Sequence, residues 1–172
     1  FGALSWASIN LFAALWGIPY LMQYYQVDAV TAGSIISSCW IGVAVGSPVI
    51  GWWSKRSADR LRSMLFCISC GLVTSIIILM DNKLPIPAMV IVLFIFGFSA
   101  GGQPISFDLI YDNNKKSNIG TALGFNNMFV IAGGLILQPL AGYIIQYSNT
   151  HIAHGHYNLS SYQNALIIMP IC

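Results

Sequence analysis

The sequence predicts an all-α membrane protein built as a bundle of six helices. The chain has 172 residues, of which 56% are hydrophobic and only 7% are charged, and its mean hydropathy is +0.71. A typical soluble domain has about 25% charged residues, so a soluble fold this apolar would lack polar surface. The apolar residues also form long segments between short polar loops, and the basic residues gather in alternate loops. These three observations together exclude an ordinary soluble domain.

Five complete apolar segments and a shorter sixth one define the predicted helices. A complete segment can cross the hydrocarbon core, about 30 Å thick, at about 1.5 Å per residue. Backbone groups in lipid must form hydrogen bonds within their own segment, which predicts helices. The predicted helices span approximately residues 1–25, 30–53, 63–80, 86–111, 119–147 and 162–172. Together they form one domain, residues 1–172.

Both ends of the sequence are informative. The chain begins with Phe1 rather than Met, and no signal peptide pattern follows. The last apolar run begins near Tyr162 and is shorter than the roughly 20 residues that a membrane-spanning helix needs. We therefore expect the chain to be a piece of a longer protein, with its sixth helix truncated.

The distribution of basic residues predicts the orientation of the helices. Lys and Arg in short loops concentrate on the cytoplasmic side of a membrane. The loop after the second helix and the loop after the fourth helix hold every basic residue except Lys83. These residues are Lys55, Arg56, Arg60, Arg62, Lys115 and Lys116. Both loops, and the start of the first helix, are therefore predicted to be cytoplasmic.

The second and fifth helices show an internal similarity. Residues 31–53 and 121–144 both open with Thr-Ala and close with Pro-x-x-Gly followed by an aromatic residue. The two helices run in opposite directions through the membrane. This pattern predicts two inverted three-helix repeats, as in secondary transporters; chance similarity of two Gly- and Pro-rich helices is the alternative.

The chain resembles the second half of a major facilitator superfamily transporter, helices seven to twelve. Residues Gly51 to Arg60 resemble the family's loop motif G-x-x-x-D-R-x-G-R-R, with Lys55 at the motif's Asp position and Ala58 at its second Gly. The fifth helix, GTALGFNNMFVIAGGLILQPLAGYI, is similar to the family's Gly-rich helix eleven. The resemblance implies transport by alternating access and an N-terminal half of the same transporter as partner.

The loop motif also implies a cytoplasmic charge network, which in the family stabilises the outward-open state. Because Lys55 replaces the motif's Asp, this network does not carry over whole. We expect instead that Arg56 or Arg60 pairs with Asp108 or Asp112; the alternative is that both carboxylates simply reach water. The residues assigned to the motif and its network are Gly51, Arg56, Asp59, Arg60, Asp108 and Asp112.

Polar residues within the predicted helices are the candidates for a substrate cavity, because polar groups facing lipid are costly. Counting from the predicted cytoplasmic ends places four carboxamides at one depth near the midplane. The cavity candidates are Asn10, Gln103, Asn126 and Asn127, with Trp16, Tyr20 and Trp40 adding aromatic surface. The alternative role of the carboxamides is to hydrogen-bond between helices.

Glycines and prolines are expected to serve close packing or bending of helices. Three pairs have G-x-x-x-G spacing: 42 and 46, 97 and 101, and 120 and 124. The residues assigned to packing or bending are Gly101, Gly102, Gly133, Gly134, Pro139 and Gly142.

The function predicted from these features is secondary transport of a small organic solute, with a neutral or zwitterionic metabolite such as an amino acid favoured. No ionisable residue lies deep in the five complete helices, so a coupling proton or ion would bind elsewhere. The alternatives are a non-transporting structural or assembly subunit and, less favoured, a membrane enzyme, for which no helix carries a catalytic cluster.

The expected partners are the lipid bilayer, the N-terminal half and the solute. We expect no cofactor, no metal and no nucleic acid: the Cys67-x-x-Cys70 pair lies inside an apolar helix, and His151, His154 and His156 lie together in a polar loop. The compact loops favour the bacterial inner membrane; a eukaryotic organelle membrane is the alternative.

Overall fold

The computed structural model describes residues 2–57, 60–80, 83–149 and 158–172, and helices dominate them. A π-helix, Phe12–Trp16, joins the first two α-helices. The α-helices are α1 (Gly2–Leu11), α2 (Gly17–Tyr25), α3 (Ala29–Arg56), α4 (Arg60–Leu79), α5 (Ile86–Ala100), α6 (Ile105–Asn113), α7 (Ile119–Asn149), α8 (Leu159–Leu166) and α9 (Ile168–Ile171).

Five stretches of the described chain are long and apolar enough to cross a membrane. They are Gly2–Tyr25, Ala29–Arg56, Arg60–Leu79, Ile86–Asn113 and Ile119–Ser148, and each overlaps one predicted segment. The short helices α8 and α9 occupy the sixth. The predicted all-α membrane fold is confirmed.

Proline accounts for the irregular places in the first and fourth spans. Pro19 has no N–H to donate to the preceding turn, and the π-helix lies directly before α2, in which Pro19 sits. In the fourth span, residues 101–104 form tight turns between α5 and α6, and Pro104 directly precedes α6.

At the N-terminal end of α3, the Thr31 hydroxyl donates a hydrogen bond to the Asp28 carboxylate at 2.5 Å. This bond lowers the pKa of that carboxyl.

Glycines bring α3 and α5 into backbone contact. A Cβ atom at Gly42 would overlap the carbonyl group of Phe94, and one at Gly97 would overlap the carbonyl group of Cys39. A Cβ at Gly101 would lie 2.6 Å from the backbone nitrogen of Ser47. Small residues allow such close approach of membrane helices. The third G-x-x-x-G pair behaves differently, because Gly120 and Gly124 face open space, so the packing expected there is wrong.

The contact between α1 and α7 is the counterpart of the contact between α3 and α5. A Cβ at Gly133 would lie 2.9 Å from Cβ of Ala7, and one at Gly134 would lie 3.3 Å from Cβ of Asn10. The first span thus packs on the fifth, and the fourth packs on the second. The first and fourth spans are each 50% buried, against 33% and 22% for the second and fifth. The first span therefore corresponds to the fourth, and the second to the fifth, in both their contacts and their burial. This correspondence is expected for two equivalent three-helix units.

Tyrosine side chains join the outer end of the first span to the end of α4 and the segment after it. Tyr20 donates a hydrogen bond to the carbonyl of Ile78 at 2.6 Å, and Tyr25 donates one to the carbonyl of Leu84 at 2.7 Å. The backbone N–H of Leu84 donates to the Tyr24 hydroxyl at 3.2 Å. The bond from Tyr20 satisfies a carbonyl that the end of α4 leaves without a helical partner.

We expect Gly97→Ala to destabilise the protein, because the added methyl group would overlap backbone rather than a movable side chain. Overpacking of this kind costs roughly 1–3 kcal/mol. Thermal unfolding in detergent measures the effect. The matched control is Gly33→Ala in α3, where nothing lies within 4 Å. Equal melting temperatures for the two variants would contradict the proposed backbone contact.

Candidate substrate-facing groups and cytoplasmic ion pair

A serine at the start of α6 joins the carboxamide of Asn126 to the backbone of Gln103. Asn126 in α7 donates a hydrogen bond to the Ser106 hydroxyl at 3.3 Å, and that hydroxyl donates to the carbonyl of Gln103 at 2.8 Å. The tight turns at residues 101–104 bring Gln103 and Ser106 to this position. Sequence reasoning missed Ser106, since a single serine in an apolar helix most often bonds only to its own backbone.

Asn10, Trp16 and Gln138 form a second polar group between the first span and α7. This group lies further along α7 than Asn126 does. Gln138 donates a hydrogen bond to the backbone carbonyl of Asn10 at 3.0 Å, and the carbonyl of Gln138 accepts one from the Trp16 indole at 3.2 Å. The Asn10 side chain packs over Gly134, and the Trp16 ring packs over Gly142. Sequence reasoning missed Gln138, although a glutamine beside Pro139 in an apolar helix was a usable signal.

The expectation that four carboxamides lie at one depth is wrong. Gly2 already packs against Ser106 and Val130, so α1 begins level with the start of α6 and not at the end of the span where the count began. Asn10 is level with Gly134, which lies eight residues beyond Asn126 in α7. At 1.5 Å per residue these two carboxamides are separated by about 12 Å along the helix. The polar side chains therefore form two groups along α7, one against α6 and one against the first span, rather than one layer.

Tyr20 was predicted to line a cavity, and the structure corrects this. Its side chain is fully buried, and its ring stacks on Tyr24 with centroids 5.5 Å apart. Its hydroxyl is bonded to Ile78 at the end of α4. The aromatic body and the single polar atom are both satisfied by the core, so Tyr20 faces no solute in this conformation.

The remaining cavity candidates differ in exposure. The Asn127 side chain is exposed, and Trp40 is 39% exposed on α3. Trp16, Asn10 and Asn126 are half-buried at the helix contacts described above, and Gln103 is buried.

At the cytoplasmic end, Nη2 of Arg60 lies 2.5 Å from Oδ2 of Asp112. The ion pair joins the start of α4 to the end of α6, and the two side chains are 27% and 51% exposed. The guanidinium of Arg56 lies instead over the ring of Trp52, 5.5 Å from its centroid. Asp108 is half-buried one turn before Asp112.

Two other assigned positions complete this end of the molecule. Gly51 meets no neighbour within 4 Å. Asp59 lies outside the described residues, as do the three loop histidines. Within the described ranges, no group of three or more His, Cys or Asp side chains could hold a metal ion.

The all-helical fold, the basic residues near one end of the bundle and the uncharged polar groups within it fit a membrane transporter. The family model of the Major Facilitator Superfamily matches residues 1–170, so the chain belongs to this superfamily. It is accordingly an integral, multi-pass membrane protein of a transporter family. No curated protein and no solved structure matches the chain significantly.

We expect Arg60→Ala and Asp112→Ala to show a small coupling when combined, because both side chains are partly exposed. Partly exposed ion pairs contribute up to about 1 kcal/mol. A double-mutant cycle on the free energy of unfolding in mixed micelles measures this term. The control cycle pairs Asp112→Ala with Lys83→Ala on the opposite face, where the effects should add. Additivity in both cycles would show that the ion pair contributes no stability.

We expect Tyr20→Phe to lower thermal stability and leave solute affinity unchanged. The substitution leaves the buried carbonyl of Ile78 without its tyrosine donor, at a cost of roughly 1–3 kcal/mol. Tyr143→Phe, on an exposed tyrosine of α7, is the control. A changed solute affinity with unchanged stability would show that Tyr20 acts in the substrate site and would contradict its assignment to the core.

Proposed function

We propose that residues 1–172 form the C-terminal half of a secondary transporter, helices seven to twelve, which moves a small organic solute by alternating access. The N-terminal half of the same transporter is then the partner that completes the cavity. The bacterial inner membrane is the proposed location. The loop motif at Gly51 to Arg60 and the equivalence of the two three-helix units support this assignment.

The observation that carries the proposal is the pair of polar groups along α7, one against α6 and one against the first span. In the first group Ser106 connects the side chain of Asn126 with the backbone carbonyl of Gln103. In the second, Gln138 connects the backbone carbonyl of Asn10 with the Trp16 indole. Hydrogen-bonding side chains in otherwise apolar spans are characteristic of substrate pathways. Helix α7 carries a member of each group, Asn126 and Gln138, so movement of α7 relative to the first and fourth spans would alter both groups together.

The chemistry of these groups favours a neutral or zwitterionic solute, such as an amino acid. Amide and hydroxyl groups can both donate and accept hydrogen bonds. The groups contain no charged side chain that would require an oppositely charged solute. A coupling proton or ion would then bind in the other half.

The Arg60–Asp112 ion pair has a proposed role in the same cycle. It connects α4 with α6 at the cytoplasmic end, so separating these helices requires breaking it. Because both side chains are partly exposed to solvent, the ion pair is weak enough to break at each turnover.

The proposal is tested by labelling single cysteines in the intact protein, in a background without Cys39, Cys67, Cys70 and Cys172. Cysteines at Asn10, Asn126 and Asn127 should react with a membrane-impermeant thiol reagent from both sides. A panel of free L-amino acids serves as the probe, and one of them should protect the sites.

The matched control is Ile145→Cys, a buried position on the same helix as Asn126, which should stay unlabelled. If the three polar positions also stay unlabelled from both sides, they are packing residues and the proposed substrate site is wrong.

A further inference from the structure

The end of α3 and the start of α4 together expose three aromatic side chains, here called the aromatic cluster. Trp52 is 63% exposed, Trp53 is 36% exposed and Phe66 is 42% exposed. The rings of Trp53 and Phe66 meet edge to face with centroids 5.3 Å apart, so they join the two helices at the surface. Tryptophan is enriched where a helix meets the membrane–water interface, because its ring is apolar and its N–H is polar.

The surface on either side of the aromatic cluster differs in polarity. Toward the middle of the helices the exposed side chains include Val49 of α3 and Ile68 of α4. Toward the helix ends, basic side chains are exposed on both helices, Lys55 and Arg56 on α3 and Arg62 on α4. The order apolar, aromatic, basic matches the acyl chains, glycerol region and phosphate of a phospholipid.

Arg56 lies directly beyond the aromatic cluster on α3. It follows Trp52 by four residues and Trp53 by three, and residues at these spacings share one face of a helix. Its guanidinium lies over the ring of Trp52, 5.5 Å from the centroid, and it forms no ion pair with a described carboxylate. An arginine placed over an aromatic ring can still present its in-plane N–H donors to a phosphate.

Arg62 has the equivalent position on α4. It precedes Phe66 by four residues, so it lies on the same face of α4, one turn nearer the start of the helix. Because Trp53 and Phe66 are in contact, the two exposed arginines flank one aromatic contact from two different helices. Arg60 differs from both, because Asp112 of α6 already neutralises its guanidinium.

We propose that the junction of α3 and α4 is a binding site for an anionic phospholipid. Arg56 and Arg62 donate hydrogen bonds to the phosphate oxygens, and the aromatic cluster contacts the glycerol region. Arginine is suited to this role because its planar fork binds a phosphate through two donors. The site favours a headgroup with net negative charge, such as phosphatidylglycerol, because a choline group would bring a further cation next to the two arginines.

This lipid site is separate from the polar groups along α7. None of its residues belongs to those groups, and its test requires no solute. Failure of the lipid site and failure of the proposed transport function are therefore distinguishable. A lipid bound here would connect α3 with α4 and should stabilise the folded protein by mass action.

The experiment measures lipid binding to the intact protein by native mass spectrometry. The protein is purified in an uncharged detergent and titrated with dioleoyl phosphatidylglycerol or with dioleoyl phosphatidylcholine. We expect the first phosphatidylglycerol to bind more tightly than phosphatidylcholine. Arg56→Gln and Arg62→Gln should each lower the affinity for phosphatidylglycerol about fivefold, as expected for one basic residue at a lipid surface.

Lys55→Gln is the matched control, since it removes the same charge from the same turn of α3. Residue 55 lies only two positions from Trp53 and therefore on another face of the helix. Its affinity for phosphatidylglycerol should stay close to that of the unmodified protein. Arg56→Lys keeps the charge and loses the fork, so it should restore only part of the affinity that Arg56→Gln loses.

Thermal unfolding provides a second readout and checks that each variant is folded. Added phosphatidylglycerol should raise the melting temperature of the unmodified protein and of Lys55→Gln, and should raise that of Arg56→Gln and Arg62→Gln less. Equal losses of affinity in Lys55→Gln and Arg56→Gln would mean that the lipid responds only to the overall charge of this end, which overturns the site. Equal affinities of the unmodified protein for the two lipids would also overturn it.

Discussion

The close approach of α3 and α5 is the contact on which the cytoplasmic half of the structure depends. Glycines at 42, 46, 97 and 101 let two backbones meet where any side chain would overlap. In lipid, burial of apolar surface does not drive helices together, so dense packing of this kind must do so. Because α6 continues from α5 after a short turn, this contact also sets where α6 meets α4. The Arg60–Asp112 ion pair follows from that placement.

The contact between α1 and α7 has the same character but a different consequence. Gly133 and Gly134 admit α1, and Gln138 of α7 donates a hydrogen bond to the backbone carbonyl of Asn10 at this contact. Such bonds between membrane helices average about 0.6 kcal/mol, so they are readily exchanged.

The helices and their order could be predicted from the sequence, because apolar length alone decides what can cross a bilayer. The axial offset between helices could not. Asn10 was assigned the depth of Asn126 by counting residues from the start of the chain, but Gly2 already lies beside Ser106. The sequence also does not give the rotation of each helix about its own axis. Gly120 and Gly124 were expected to pack against another helix and instead face open space.

Partners on distant segments were also beyond the sequence. Tyr20 was assigned to a cavity for its aromatic surface, but its ring is buried and its hydroxyl is bonded to a carbonyl on α4. Ser106 and Gln138 were not predicted as site residues, because each gains its role only from a hydrogen bond to a neighbouring helix.

Counterflow in proteoliposomes tests the central claim most directly. The intact protein is reconstituted into liposomes loaded with an unlabelled amino acid, and uptake of the same labelled compound is followed without any ion gradient. A transporter that alternates access to one site for neutral or zwitterionic solutes should give a transient accumulation that protein-free liposomes lack. Absence of accumulation for every amino acid tested, with the protein folded and inserted, would contradict the assignment of the solute.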